Sequence, residues 1–410
     1  MSLNLTDNED KKTILWVLKS LEVPGGGERL LLEGARHYRS LGHRVIIVAW
    51  HFSELALFNN EYEYIDIICL DAKTTKRHNI VLSAFYRIQK ITALRKIIKE
   101  HDVDLMFSQG EYDVAVLYLA SLGLHTPYRF LIFGQTYQYP HDNAKYSFLF
   151  KKHLKEIVNS CPGYKETTPL IKPKLGLINN LANELICLIR LFAVRGAEKC
   201  FSFSKQIQWE TQLLFDVKPE LAAGAYRNTQ IRDYSNEKSI VTEKYGLKDR
   251  EFILSLSGLG EKKRIDLIIE SYSKLNTSFP LIIGGSGEDL NRLNDLVQSL
   301  NLEAKVRFIG RVDDKDVLPL KAMAKIFVSM DIGDFDISPL EALAVGTRVI
   351  CPVEFEVDEY LSSREDLYII EPKINDLTAK MDILLTDTVP NKSARLEGYS
   401  WEDYFNKLLL

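Results

Sequence analysis

The sequence predicts an α/β protein built of two parallel-sheet halves, and three observations carry that expectation. Short apolar runs of strand length alternate with helical patterns along nearly the whole chain. A strand, a glycine loop and a helix open the chain at Thr13, and the same grammar starts again at Phe252. Between the halves, residues 227–250 are long and polar, as suits an interdomain linker. With 410 residues, 46% apolar and 26% charged, the chain is long enough for two sizeable cores.

In order, residues 13–18 (TILWVL) read as a buried strand. Leu30, Leu31, Ala35 and Tyr38 then repeat at helical spacing in a helix that starts at Glu28. Between them Gly25, Gly26 and Gly27 let backbone come close to a ligand, and the helix start behind them can face an anion. The loop lacks the GxGxxG spacing and the terminal lysine of a P-loop. Residues 43–50 and 62–70 are the next strands. Residues 83–100 form a helix bearing Arg87, Lys90, Arg95, Lys96 and Lys99, which reads as a solvated outer face or as a surface for anionic lipid. Strands at 103–110 and 128–135 follow. Residues 144–198 hold two helical patterns around a proline- and lysine-rich loop, where seven lysines stand against Glu156 and Glu166. That excess makes the region the best membrane-surface candidate in the chain. A strand at 198–204 and a helix at 206–215 complete the half.

The second half runs strand (252–259), helix with Ile265, Ile268, Ile269 and Tyr272 as its apolar side, then strand, glycine loop and helix in LIIGGSGEDLNRL. VRFIGRV, KIFVSM, TRVICP and LYII are further strands. A closing helix aligns Trp401, Tyr404, Phe405 and Leu408 on one side. The expected domains are 1–226, joined by 393–410, and 227–392.

Net charge is −4, yet residues 1–200 carry an excess of five basic groups and the rest an excess of nine acidic ones. The asymmetry hints at an anionic surface or lipid phosphate near the first half and is too weak to argue for nucleic acid. Five scattered cysteines without metal-finger spacing suit a reducing compartment, and no cluster of ligands suggests a metal. The polar start lacks signal-peptide character, and the longest apolar run, 185–194, is interrupted by Arg190 and too short to span a bilayer. These features predict a cytoplasmic protein, peripheral at most at the inner face of a membrane.

The organising stretch is residues 331–346, DIGDFDISPLEALAVG, a loop that turns into a helix after the KIFVSM strand. Ser338 and Pro339 suit the N-cap and first turn, Glu341 completes a capping box, and Gly346 closes the helix. Asp331, Asp334, Asp336 and Glu341 crowd a strand end where an open α/β sheet binds ligands, and carboxylates there suit sugar hydroxyls.

GDFDISPLEALAVGTRVICP resembles the donor-site signature of the retaining glycosyltransferases of family 4, also called group 1, which have the GT-B fold: two Rossmann-like domains facing a central cleft, with a C-terminal helix crossing back to the first domain. The resemblance implies that Glu341 binds the ribose of a nucleotide sugar, with Phe335, Ile337 and Ser338 beside it. GEKKRIDLIIE resembles the segment that holds the diphosphate, placing Lys263 on it. IIGGSGEDL resembles the glycine loop after the next strand, with Gly285 in it, and FIGRV the segment at the base, so that Arg311 and Val312 flank it. GGGER resembles the opening loop facing acceptor and donor phosphate, Gly25–Gly27. The sequence departs from the family at three points: Gly333 stands where the first glutamate is expected, Gly258 where an arginine is, and Gln135 where a histidine is, with His141 six residues on. Asp334 or Asp336 is then the candidate for the missing carboxylate. The implied reaction is metal-independent, retaining transfer of a sugar to a glycan or lipid-linked glycan in surface polysaccharide or glycoconjugate synthesis, with no cofactor beyond the donor. The alternative is a silent GT-B protein that binds a sugar nucleotide or a protein partner.

Overall fold

The computed structural model describes residues 11–22, 26–57, 62, 64–70, 80–132, 147–150, 153, 156–157, 177–232, 234, 237–333, 335–387 and 395–410. The chain divides into two compact units, residues 1–222 with 407–410, and residues 223–406.

The first unit holds seven strands, β1 (Thr13–Leu21), β2 (Arg44–Phe52), β3 (Asp66–Cys69), β4 (Leu105–Gln109), β5 (Tyr128–Ile132), β6 (Lys199–Ser202) and β7 (Glu220–Leu221). They form one parallel sheet in the order β3-β2-β1-β4-β5-β6-β7. Parallel strands need crossover helices, which cover the sheet and drive its strands to near-continuous apolar sequence. Accordingly Ile14 to Val17 are fully buried, and Trp16 packs against Phe107 and Tyr38 with ring centroids 5.0 and 6.2 Å away. Helix Gly26–Ser40 buries Leu30, Leu31, Ala35 and Tyr38, the four residues its spacing selects. It starts two residues before Glu28. The strand expected over 62–70 is shorter, because Tyr62 turns away and its hydroxyl donates to Glu33 at 2.6 Å.

The second unit repeats the plan with β8 (Ile253–Leu256), β9 (Leu281–Gly284), β10 (Val306–Gly310), β11 (Ile326–Val328), β12 (Arg348–Pro352) and β13 (Leu367–Ile370). Its parallel sheet has the order β10-β9-β8-β11-β12-β13. Helix Ile265–Ser273 buries Ile265, Ile268, Ile269 and Tyr272. The polar stretch 227–250 is not a bare linker: it belongs to the second unit and holds a 3-10 turn, Asn228–Gln230, and a helix, Lys238–Tyr245.

The closing helix, Trp401–Leu409, buries Trp401, Tyr404, Phe405 and Leu408 as its spacing predicts. Its first residues count with the second unit and its last with the first. There the buried Arg129 donates to the Leu408 carbonyl and pairs with Glu198 at 2.8 Å. Among the described residues no helix is long and apolar enough to cross a membrane.

Candidate functional site

In the second sheet the strand order reverses direction between β8 and β11, so the loops after these two neighbours diverge and leave a crevice at their carboxyl ends. The loops after β8, β9 and β10 are knitted together there. Gly285 N–H donates to the Gly310 carbonyl at 2.7 Å and Leu259 N–H to Ser286 at 2.9 Å. Gly285 has φ +134°, and a Cβ on it would lie 1.8 Å from the Ser257 carbonyl oxygen. Only glycine fits so close an approach of two backbones.

Lys263 ends the 3-10 turn Glu261–Lys263 after β8, and its ammonium donates to Asp331, at the start of the loop after β11. Ile332 N–H reinforces the bridge by donating to the Lys262 carbonyl at 3.1 Å. Burial works to lower the Lys263 pKa, but the carboxylates of Asp336 and Asp331 outweigh it and hold the ammonium above its ordinary range. Burial also raises Asp331, against the pull of Lys263. Beside them Arg264, left-handed at φ 48°, pairs with Glu354 at 2.7 Å. The outer atoms of that pair, Arg264 Nη1 and Glu354 Oε2, are buried with no hydrogen-bond partner among the described residues.

Helix Ile337–Ala344 points its N-terminus into the same crevice region, since Ser338 Oγ donates to the Leu256 carbonyl at the end of β8. The expected cap is corrected here. Asp336, not Ser338, is the N-cap: its carboxylate accepts from Ser338 N–H at 3.1 Å and from Ser329 Oγ at 2.9 Å. The helix therefore begins at Ile337 rather than Pro339. Glu341 closes no capping box; its Oε2 accepts from Lys321 Nζ at 2.5 Å. Lys321 is 1% exposed, also donates to the Ser338 carbonyl at 3.0 Å, and lies over the Phe327 ring.

A Cβ at Gly333 would lie 3.3 Å from Asp331 Oδ2, so the space beside that glycine is held by the Asp331 carboxylate. At Gly258 the nearest atom to a Cβ is 3.9 Å away, an ordinary contact. Phe335 and Ile337 are half-buried against the core, Val312 abuts Gly284, and Arg311 is exposed. In the first unit Gly26 and Gly27 open their helix, and a Cβ on Gly27 would meet nothing within 4 Å. Gly25, Gln135, His141 and Asp334 lie outside the described residues. Among the described residues no group of three His, Cys, Asp or Glu is arranged to hold a metal ion.

Sequence reasoning missed Lys321 and the pairing role of Asp331. A lysine inside the apolar run VLPLKAMA was the one available signal for Lys321, because a charge in a buried helix face needs a partner. The basic helix is also less solvated than its composition suggests. Lys90 is buried over the Trp50 ring, and Arg95 donates to the carbonyls of Ala120 and Leu122.

Residues 238–401 match the family described as glycosyl transferases group 1, and residues 24–164 match glycosyltransferase family 4. Among curated proteins, a serotype-specific mannosyltransferase of Escherichia coli is 27% identical over 211 residues, covering 48% of this chain and 26% of that protein. An N-acetylgalactosaminyltransferase of Campylobacter jejuni, whose name specifies a diphospho-undecaprenol acceptor, is 29% identical over 235 residues, covering 56% of this chain and 58% of its own. The matched stretch thus spans a quarter to somewhat over half of these relatives. Among solved structures, a Rickettsia africae glycosyltransferase aligns with TM-score 0.70 at 19% identity, covering 98% of this chain and 97% of that one. An Anabaena protein, HepE, solved with UDP-glucose, aligns with TM-score 0.65 at 15% identity, covering 97% and 95%. The chain belongs to the group 1, or family 4, glycosyltransferases, and its two Rossmann-like units have the GT-B fold.

Proposed function

We propose that the chain transfers a sugar from a nucleotide sugar to a glycan or lipid-linked glycan, with retention of anomeric configuration and without a metal. The observation that carries this reading is the bridge at the switch point, Lys263 to Asp331, beside a glycine loop whose backbones approach too closely for any side chain. The names of the relatives, which specify mannosyl and N-acetylgalactosaminyl transfer, and the UDP-glucose held by the Anabaena protein support the substrate class.

On this reading Lys263, kept charged, exchanges Asp331 for a phosphate oxygen of the donor, and Arg264 Nη1 supplies a second cationic donor where Gly258 supplies none. As the bond from the anomeric carbon to phosphate stretches, charge gathers on the diphosphate, and preorganised cations lower that barrier. Glu341, fixed by Lys321, accepts from the ribose. Asp331, filling the space beside Gly333, joins Asp334 as our candidate for the missing carboxylate, and Asp336 is set aside because it is engaged as a helix cap.

The test is thermal stabilisation and nucleotide release with UDP-, GDP-, ADP- and dTDP-sugars, with and without EDTA. One donor should stabilise the protein, and its slow hydrolysis should be unaffected by EDTA. Lys263→Ala should weaken nucleotide binding by roughly ten- to a hundred-fold, the worth of a charge-assisted hydrogen bond. Stabilisation by none of the donors overturns the proposal, and EDTA-sensitive release overturns its metal independence.

A further inference from the structure

We propose that the carboxyl edge of the first sheet holds a second anion site, formed by Lys19, Arg87 and Lys90, that takes a phosphate or diphosphate group. In this sheet the chain runs outward from β1 through β2 to β3 and returns to place β4 on the other side of β1, so the loops after β1 and β4 diverge and open a crevice. Lys19 lies near the end of β1, between the register pairs Leu18–Ala49 and Ser20–His51, and therefore beside Trp50 of β2. Over that indole the buried Lys90 ammonium stands 5.1 Å from the ring centroid. Arg87, three residues before Lys90, shares its side of helix Ile80–Glu100. Asp113 of helix Glu111–Ser121, which follows β4, reaches the same indole and accepts from Trp50 Nε1 at 3.0 Å.

The charges here do not balance. Burial lowers the Lys90 pKa, Asp113 pulls it back up, and the like charges of Lys19 and Arg87 press it down again. One acid therefore acts on Lys90 against two further cations, and burial pushes that acid up to about 7, so it carries less than a full charge at neutral pH. Lys19 is exposed and Arg87 half-buried, and neither forms an ion pair among the described residues. Unused hydrogen-bonding groups lie beside them. Ser108 of β4 pairs in register with Val17, two residues before Lys19, so it shares the Lys19 face of the sheet. Its Oγ is buried with no hydrogen-bond partner among the described residues, and so is the neighbouring Gln109 Nε2. Gly110 then starts helix Glu111–Ser121 without a side-chain cap, leaving the first N–H groups of that helix open. Surplus cations beside unused donors complement a phosphoryl anion. The donor diphosphate is assigned to Lys263 in the second unit, so this anion belongs to the acceptor, an attribution that rests on the transfer reading while the site itself does not.

The experiment is calorimetric titration of the full chain with inorganic diphosphate, repeated with farnesyl diphosphate, for the wild type, Lys19→Gln/Arg87→Gln and Lys263→Ala. The wild type should show two sites. The double variant should bind at least ten-fold more weakly at one of them, and Lys263→Ala at the other. Both substituted side chains of the double variant reach solvent, so its thermal unfolding should match wild type. At the Lys19 site, equal affinity for the two probes assigns a phosphoryl group free of lipid, and tighter binding of farnesyl diphosphate assigns a lipid-linked one. Unchanged binding by the double variant, or a wild-type signal that disappears entirely in Lys263→Ala, would overturn the proposal. An unchanged isotherm in Lys263→Ala overturns the donor-site reading alone, so the two fail separately.

Discussion

Lys321→Met is expected to destabilise the second unit far more than the loss of a surface lysine. The ammonium is 1% exposed and donates both to Glu341 and to the Ser338 carbonyl. Methionine keeps the unbranched stem without the ammonium and leaves a carboxylate and a carbonyl buried without their donor. Breaking a buried pair in this way costs about 3–5 kcal/mol. In a unit of this size each kcal/mol moves the midpoint by about 2–4 °C, so the Tm should fall on the order of 10 °C. Replacing both partners, Lys321→Met with Glu341→Leu, removes the stranded charge and should recover most of the loss. The double variant should nevertheless bind nucleotide weakly, since the carboxylate assigned to the ribose is gone. Thermal unfolding and nucleotide titration of the two single variants and the double complete a mutant cycle. A single variant within about 1 °C of wild type, or a double variant no better than Lys321→Met, would refute the argument that the pair is interdependent.

Three other predictions test different parts of the chain. Gly285→Ala should cost several kcal/mol or misfold the second unit, because its Cβ would lie 1.8 Å from a carbonyl oxygen. Gly27→Ala, with nothing within 4 Å, should leave stability within about 0.5 kcal/mol and report only on acceptor or donor contact through turnover. Asp113 supplies a pH signature. It is buried, accepts from Trp50 Nε1 at 3.0 Å, and burial pushes its carboxyl up to about 7 against the pull of Trp50, Lys19 and Lys90. The folded state therefore holds a proton that the unfolded state releases from pH 3.8 upward. This contribution is complete below that value and is lost as pH rises through about 7, amounting to about 4 kcal/mol. Asp113→Asn should not show the loss, so its stability in urea should gain on wild type between about pH 4 and about pH 7. A constant difference across that range would remove Asp113 from consideration.

Much of the fold was legible because it rests on local periodicity. The buried faces at Leu30 to Tyr38, Ile265 to Tyr272 and Trp401 to Leu408 follow from spacing alone. The glycine loops were legible as well, since close backbone approach leaves no other residue. The helix start at Ile337 was not. Ser338-Pro339 with Glu341 satisfies the local rule for a capping box, but the rule sees only residues three apart. Lys321, twenty positions upstream, claims the glutamate, and Asp336 takes the cap instead. For the same reason the pairing of Lys263 with Asp331, 68 residues apart, does not show in the sequence.

The closing helix leaves the first unit in two separate stretches of sequence, with the second unit between them. Residues 407–410 finish the first unit only after the whole of the second has been made. Until they arrive, the Arg129 guanidinium lacks the Leu408 carbonyl that it meets in the finished protein. The first unit is thus synthesised first and takes up residues 407–410 only after the second has been made. The order of assembly follows the path of the chain rather than the order of its domains, with residues 407–410 as the latch.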